Sequence, residues 1–153
     1  MQMSIHFAES FTVRWGDLDS NAHMKNTAYL EVCPDVRMRY FSSQGFPVAE
    51  FERLRLGPVV RKDVVEYFRE LLLLDPYTMD LRLSGLSEDG SHFSLRNECF
   101  RPDGKMVARI TSEGGWLHLD RRCLSAPPAS LLQVLRDLEK TSDFLLLESS
   151  VGL

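Results

Sequence analysis

Apolar and polar residues alternate at period two near the start of the chain. Phe11, Val13 and Trp15 are interleaved with Thr12 and Arg14, so residues 7–15 read as a strand. Gly16 ends that alternation. From Tyr29 the period changes: Tyr29, Val32, Cys33, Val36 and Tyr40 recur at three- and four-residue intervals, which predicts a helix over residues 27–43 that stops at Gly45. Pro34 falls inside it. A proline there lacks an amide proton and clashes with the carbonyl four residues back, which predicts a kink or two abutting helices. Residues 46–57 carry no strong pattern and read as a connector.

From Pro58 onward the pattern is β. Val59 to Phe68 is rich in β-branched and aromatic residues, and Asp75-Pro76 marks a turn. Met79, Leu81 and Leu83 alternate with Asp80 and Arg82, which predicts a strand with one buried face. Glu88-Asp89-Gly90 and Pro102-Asp103-Gly104 are hairpin turns, flanking a strand whose inner face is Phe93, Leu95, Asn97 and Cys99. The next strand runs from Lys105 to Leu119, with a bulge or bend expected at Gly114-Gly115. After Pro127-Pro128 a short helix carries the stripe Leu131, Val134, Leu135 and Leu138. The last dozen residues are expected to be loosely held. The whole reads as an α+β domain: an antiparallel sheet of about five strands wrapped around one long central helix, with a short C-terminal helix.

Composition narrows the classes. At 153 residues the chain is one domain with room for a real core, and 44% apolar against 26% charged residues is ordinary for a globular protein. A net charge of −4 gives no general attraction to nucleic acid or to an anionic membrane. No apolar run approaches the ~20 residues of a bilayer span, and the N-terminus resembles no signal peptide, so a cytoplasmic location is expected. Cys33, Cys99 and Cys123 lack C-x-x-C spacing and read as reduced thiols. His6, His92 and His118 show no ligand spacing around His23, so no metal is expected.

The chemistry concentrates between the first strand and the long helix. Asp17, Asp19, Asn21, His23 and Asn26 fall within ten residues, on a loop held by regular elements at both ends. Aspartate and asparagine in such a loop also serve as turn and cap residues. Asp17 reads as structural. His23 either orients the loop or lines a pocket, and Tyr29 is either core or a substrate contact.

The order strand, Gly16-Asp17-Leu18-Asp19, His23, Asn26, Tyr29 and long helix resembles the hotdog-fold acyl-CoA thioesterases of the 4-hydroxybenzoyl-CoA thioesterase type. The resemblance covers residues 7–125, leaving the C-terminal helix and tail at 127–153, and Gly57-Pro58-Val59-Val60 adds to it. It implies that Asp19 is catalytic, as general base or nucleophile, and that the backbone N–H of Asn26 polarises the thioester carbonyl. The Asn26 side chain is alternatively a helix cap. The resemblance also implies a homodimer, or a tetramer built from it, whose sheets join edge to edge with each active site between subunits. Candidate substrate contacts are His23, Tyr29 and Val60, with Arg61 and Lys62 placed to meet the phosphates of coenzyme A, which enters as part of the substrate and not as a cofactor.

Two departures stand against a 4-hydroxybenzoyl substrate. Where that enzyme carries basic residues in a hairpin turn, this chain has Glu88-Asp89-Gly90, and Ala28 replaces an asparagine on the helix. A carrier-protein thioester, or a non-hydrolytic module that binds acyl thioesters, are the alternatives. A dehydratase pair made of Glu31 and His23 is a weaker one.

Overall fold

The computed structural model describes residues 4–151. Strand β1 (Phe7–Thr12) leads through a single 3-10 turn (Trp15–Asp17) to helix α1 (Asn26–Ser43) and a short helix α2 (Val48–Leu54). Strands β2 (Leu56–Tyr67), β3 (Pro76–Ser87), β4 (His92–Phe100), β5 (Met106–His118) and β6 (Cys123–Ser125) follow, then α3 (Ala129–Asp137) and β7 (Lys140–Leu147). The main sheet has the order β1-β3-β4-β5-β2, all antiparallel, with β6 added on β5 and β7 on β3. Helix α1 lies against its inner face. This is the hotdog arrangement expected from the sequence.

Each end of α1 has a physical reason. At its C-terminus Gly45 adopts φ +90°, and the Phe46 N–H reaches back to Phe41 O at 2.8 Å while Gly45 N–H reaches Ser42 O at 3.3 Å. Those two bonds satisfy carbonyls the helix leaves open. Along its length Ala28, Tyr29, Cys33, Val36, Tyr40 and Phe41 are buried against the strands. The helix is continuous through Pro34, which sits exposed on its outer side, so two abutting helices are not formed.

Other expectations are corrected. Residues 46–57 hold α2, seven residues long and too short to display a period. It joins the core through Phe51, whose ring stacks on Trp116 at 5.9 Å and meets Phe41 edge-on at 5.8 Å. The bulge expected at Gly114-Gly115 lies across the ladder, at Arg61 of β2. A Cβ at Gly114 would come within 2.0 Å of Val59 O, so glycine is there to let the two backbones approach.

Up to Val151 the C-terminal segment is held, and not loose; residues 152–153 lie outside the described residues. β7 pairs in parallel with the Leu83–Ser87 part of β3, Arg96 clasps Asp143 through two bonds of 2.9 and 3.0 Å, and Ser149 Oγ donates to Asp89 Oδ2. A parallel strand beside antiparallel neighbours leaves no hairpin signal in the sequence. To the five strands of the main path, β6 and β7 add two, so the sheet has seven.

The outer face of β3 is not simply polar and exposed. Asp80 is 3% exposed, accepts the Glu98 N–H at 2.7 Å, and lies 3.2 Å from Arg82 Nε without hydrogen-bond geometry. Burial pushes its carboxyl up to about 6, and the Glu98 N–H and Arg82 offset this only in part. Folding therefore favours the protonated form, so stability falls as pH rises through about 4 to 6. Asp80→Asn should raise stability at pH 7.5 by about 1–3 kcal/mol and flatten that dependence, as read from urea unfolding at pH 4.5 and 7.5. Arg82 keeps Glu98 at 3.6 Å and Glu139 at 3.8 Å as partners in the variant.

Candidate active site

The loop between β1 and α1 is fastened by backbone pairing. Val13 N–H donates to Asp75 O and Leu74 N–H to Val13 O; further on, Met24 N–H donates to Leu71 O at 2.8 Å and Lys25 N–H to Asp17 O at 2.8 Å. Asp19 N–H closes the inner turn on His23 O at 3.0 Å, with Ala22 in the left-handed region at φ 60°. The conformation thus depends little on which side chains the loop displays.

Asp17 is the scaffold carboxylate. Buried at 3% exposure, it accepts the Arg14 N–H at 2.9 Å and the Arg14 guanidinium at 2.9 and 3.2 Å. These Arg14 bonds hold its carboxyl below the usual range. That stabilisation is present above the ordinary carboxylate pKa and is lost as acidification protonates the group.

Asp19 and His23 are brought together. Asp19 Oδ1 accepts the Asn21 N–H at 2.8 Å, and Oδ2 lies 3.2 Å from His23 Nε2. The other ring nitrogen faces Glu70 Oε2 at 3.5 Å. Both Asp19 and His23 are about one-third exposed (30% and 33%), so a reactant can reach them. Glu70 escaped the sequence reading, because it lies far along the chain, in the irregular stretch after β2.

Helix α1 begins at Asn26 with Lys25 in the cap position, and no side chain caps it. Among the described residues the N–H groups of Asn26 and Thr27 have no partner. The Asn26 side chain is therefore not the cap. These open amides lie at the positive end of the helix dipole, a place that favours negative charge. The Asn26 carbonyl accepts the Tyr67 hydroxyl at 2.9 Å, tying the first turn to the end of β2. Tyr67 too was missed; as one aromatic in a β run it carried no distinguishing signal.

The other sequence candidates are dispersed. Tyr29 is buried, 5.6 Å from the Tyr67 ring centroid, and is core; burial raises its hydroxyl pKa. Val60 borders an apolar cavity beside α1, and it also shares a neighbouring cavity with Arg61, His92 and Leu124. Lys62 faces a depression on the outer side of the sheet, with Arg96 and Asp143. The bulge at Arg61 separates these neighbours. Glu31 lies in a groove with Arg14, Asp17 and Arg39, away from the partners of His23, so the dehydratase pair is not assembled. In the acidic turn, Asp89 is occupied by structure. Burial opposes its ionisation, but hydrogen bonds from Ser149, Ser91 and Ser87 outweigh that and hold its carboxyl low.

The profile of the Thioesterase-like superfamily matches residues 13–135, from the start of this loop to α3. The chain belongs to that superfamily. The Asp19–His23 loop and the open α1 terminus lie inside the matched region. No curated protein matches the chain. Among solved structures, the chain is similar to the hypothetical protein SAV2348 of Staphylococcus aureus, solved in complex with CoA. The TM-score is 0.80 at 21% identity, over 93% of this chain and 91% of that one. The 1,4-dihydroxy-2-naphthoyl-CoA thioesterase Slr0204 of Synechocystis gives 0.77 at 14% identity, over 87% and 97%. The probable thioesterase YbaW of Escherichia coli gives 0.74 at 22%, over 86% and 97%. At such identities the likeness speaks for the fold alone.

The two aspartates should separate experimentally. Asp17→Asn leaves the Arg14 clasp without its charge and should lower unfolding free energy by about 1–3 kcal/mol. Asp19→Asn, whose amide oxygen can still accept the Asn21 N–H, should cost less than about 1 kcal/mol, both measured by urea unfolding at pH 7.5.

Proposed function

We propose that this thioesterase-superfamily chain hydrolyses an acyl-CoA thioester to free acid and thiol. Asp19 acts as general base or nucleophile, and the Asn26 N–H is the oxyanion donor. The observation that carries this reading is an uncapped helix terminus directly after a loop that presents a reachable carboxylate. Hydrolysis needs both parts: a base or nucleophile for the carbonyl carbon, and a donor for the oxygen that becomes negative. One donor of that kind contributes about 2.7–4 kcal/mol in the transition state. His23, between Asp19 and Glu70, holds the Asp19 carboxylate in one orientation.

The working unit in this reading is a homodimer. Asp19 is about one-third exposed, and in this reading a second copy supplies the wall opposite it. β2 is a sheet edge twelve residues long, with Val60, Val64 and Tyr67 exposed, and Phe68, Leu72 and Leu73 continue the apolar surface beyond it. Such an edge favours pairing with another strand. Arg61, exposed near this edge, is the candidate for the nucleotide phosphates. A second reading, a non-hydrolytic module for acyl thioesters, is favoured by the Glu88-Asp89-Gly90 turn, where Asp89 is anionic and already bonded.

Thiol release from an acyl-CoA series, detected with a chromogenic disulfide, tests the proposal. Asp19→Asn should slow kcat by about 10²–10⁴-fold while the variant stays folded. An Asp19→Asn protein as fast as the parent would overturn the mechanism. Thermal stabilisation by acyl-CoA with no thiol released from any thioester would favour the binding module.

A further inference from the structure

Arg37 is a buried cation without an anion. It lies on α1 at 9% exposure. Its Nε and Nη2 donate to Asn97 Oδ1 at 3.2 and 3.0 Å, and Nη2 also donates to Ser112 Oγ at 2.6 Å. Both partners are neutral. Asp63 stands one bond further off, accepting from Ser112 Oγ, and among the described residues no carboxylate lies within ion-pair distance of the guanidinium. Among the described residues Nη1 has no hydrogen-bond partner, and it is not sealed from solvent.

What Arg37 borders explains this. The cavity beside it, about 180 Å³, is lined otherwise by apolar groups, among them Pro34, Met38, Phe41, Val60, Phe93 and Leu95. Its rim is exposed at Pro34 and Val60. A guanidinium taken out of water with no counter-charge in contact is costly; Asp63 offsets that cost only through Ser112, and an anion in the cavity would offset it directly. Its planar fork matches a carboxylate, and the apolar walls match hydrocarbon.

Position selects the ligand. Arg37 lies eleven residues after Asn26, three turns of α1 and therefore on nearly the same face, roughly 16 Å along the axis. Helical side chains lean towards the N-terminus, which brings the guanidinium nearer to the open amides. We propose that Arg37 is the far anchor of the acyl pocket, and that it selects acyl groups ending in a carboxylate. This rests on the hydrolase reading for its placement of the thioester, but the anion site stands on the cavity itself.

The test compares ω-carboxyacyl-CoAs with methyl-terminated acyl-CoAs over a series of chain lengths. The parent should prefer the carboxylate-ended substrate at one length by about tenfold or more in kcat/KM. Arg37→Met should lower that ratio at least tenfold, and Arg37→Lys should retain part of it. Val60→Glu, at the exposed rim, places a competing anion in the cavity and should reverse the preference with the Arg37 bonds intact. This keeps the test open should Arg37→Met fail to fold. Independently of turnover, a free dicarboxylate should raise the melting temperature of the parent more than a monocarboxylate of equal length, and Val60→Glu should abolish the difference. A parent with no preference at any length, or an Arg37→Met protein with an unchanged ratio, overturns the assignment. Absence of thiol release from every thioester, with the dicarboxylate shift present, overturns the hydrolase reading alone and supports the anion site.

Discussion

The backbone pairing that clamps residues 13–25 to the segment 71–75 is the constraint on which the rest depends. Val13, Met24 and Leu74 exchange main-chain hydrogen bonds across it, and Lys25 closes on Asp17. A loop fixed in this way has no need of its polar side chains for its shape, with Asp17 the exception. Asp19 and His23 are left about one-third exposed, and α1 can enter the core with its first amides open. A helix terminus normally attracts a capping side chain because open donors are costly. Here the clamp supplies the rigidity that a cap would otherwise give, and the donors stay available.

Much of this was legible in the sequence because the signals were long or chemically dense. The α1 periodicity, the Asp-Gly hairpins and the alternation of β4 each determine one element, and Gly16-Asp17-Leu18-Asp19 with His23 and Asn26 marked the loop. What escaped was set by contacts distant along the chain. α2 is seven residues held by aromatic packing on Trp116, which no period reveals. β7 exists because β3 offers it a lane beside β1. The alternation at Asp80 predicted an exposed face, but Asp80 is buried beside the Glu98 N–H and Arg82. Gly114-Gly115 did signal a local irregularity, but the sequence could not say which strand of the pair would bulge.

The same division holds for the site. Asp19 and His23 lie four residues apart on one loop, so that they share it could be read directly. Tyr67 and Glu70 reach the site from the far end of β2, and the bulge at Arg61 parts Val60 from Lys62. Adjacent numbers on a strand mean opposite faces unless the ladder slips. The slip at Arg61 puts Val60 beside the helix while Lys62 looks outward.

The path of the C-terminal segment has a consequence for how the sheet can grow. Ile5, Asp137 and Glu139 exchange main-chain bonds where β1 gives way to β7, so that margin is split between a six-residue strand and an eight-residue one that belong to opposite ends of the chain. A visiting strand there would meet a seam halfway along. The opposite margin, β2, runs for twelve residues without such a seam. The sheet therefore has a preferred direction of extension, and residues far from β2 in sequence impose it by spoiling the other side.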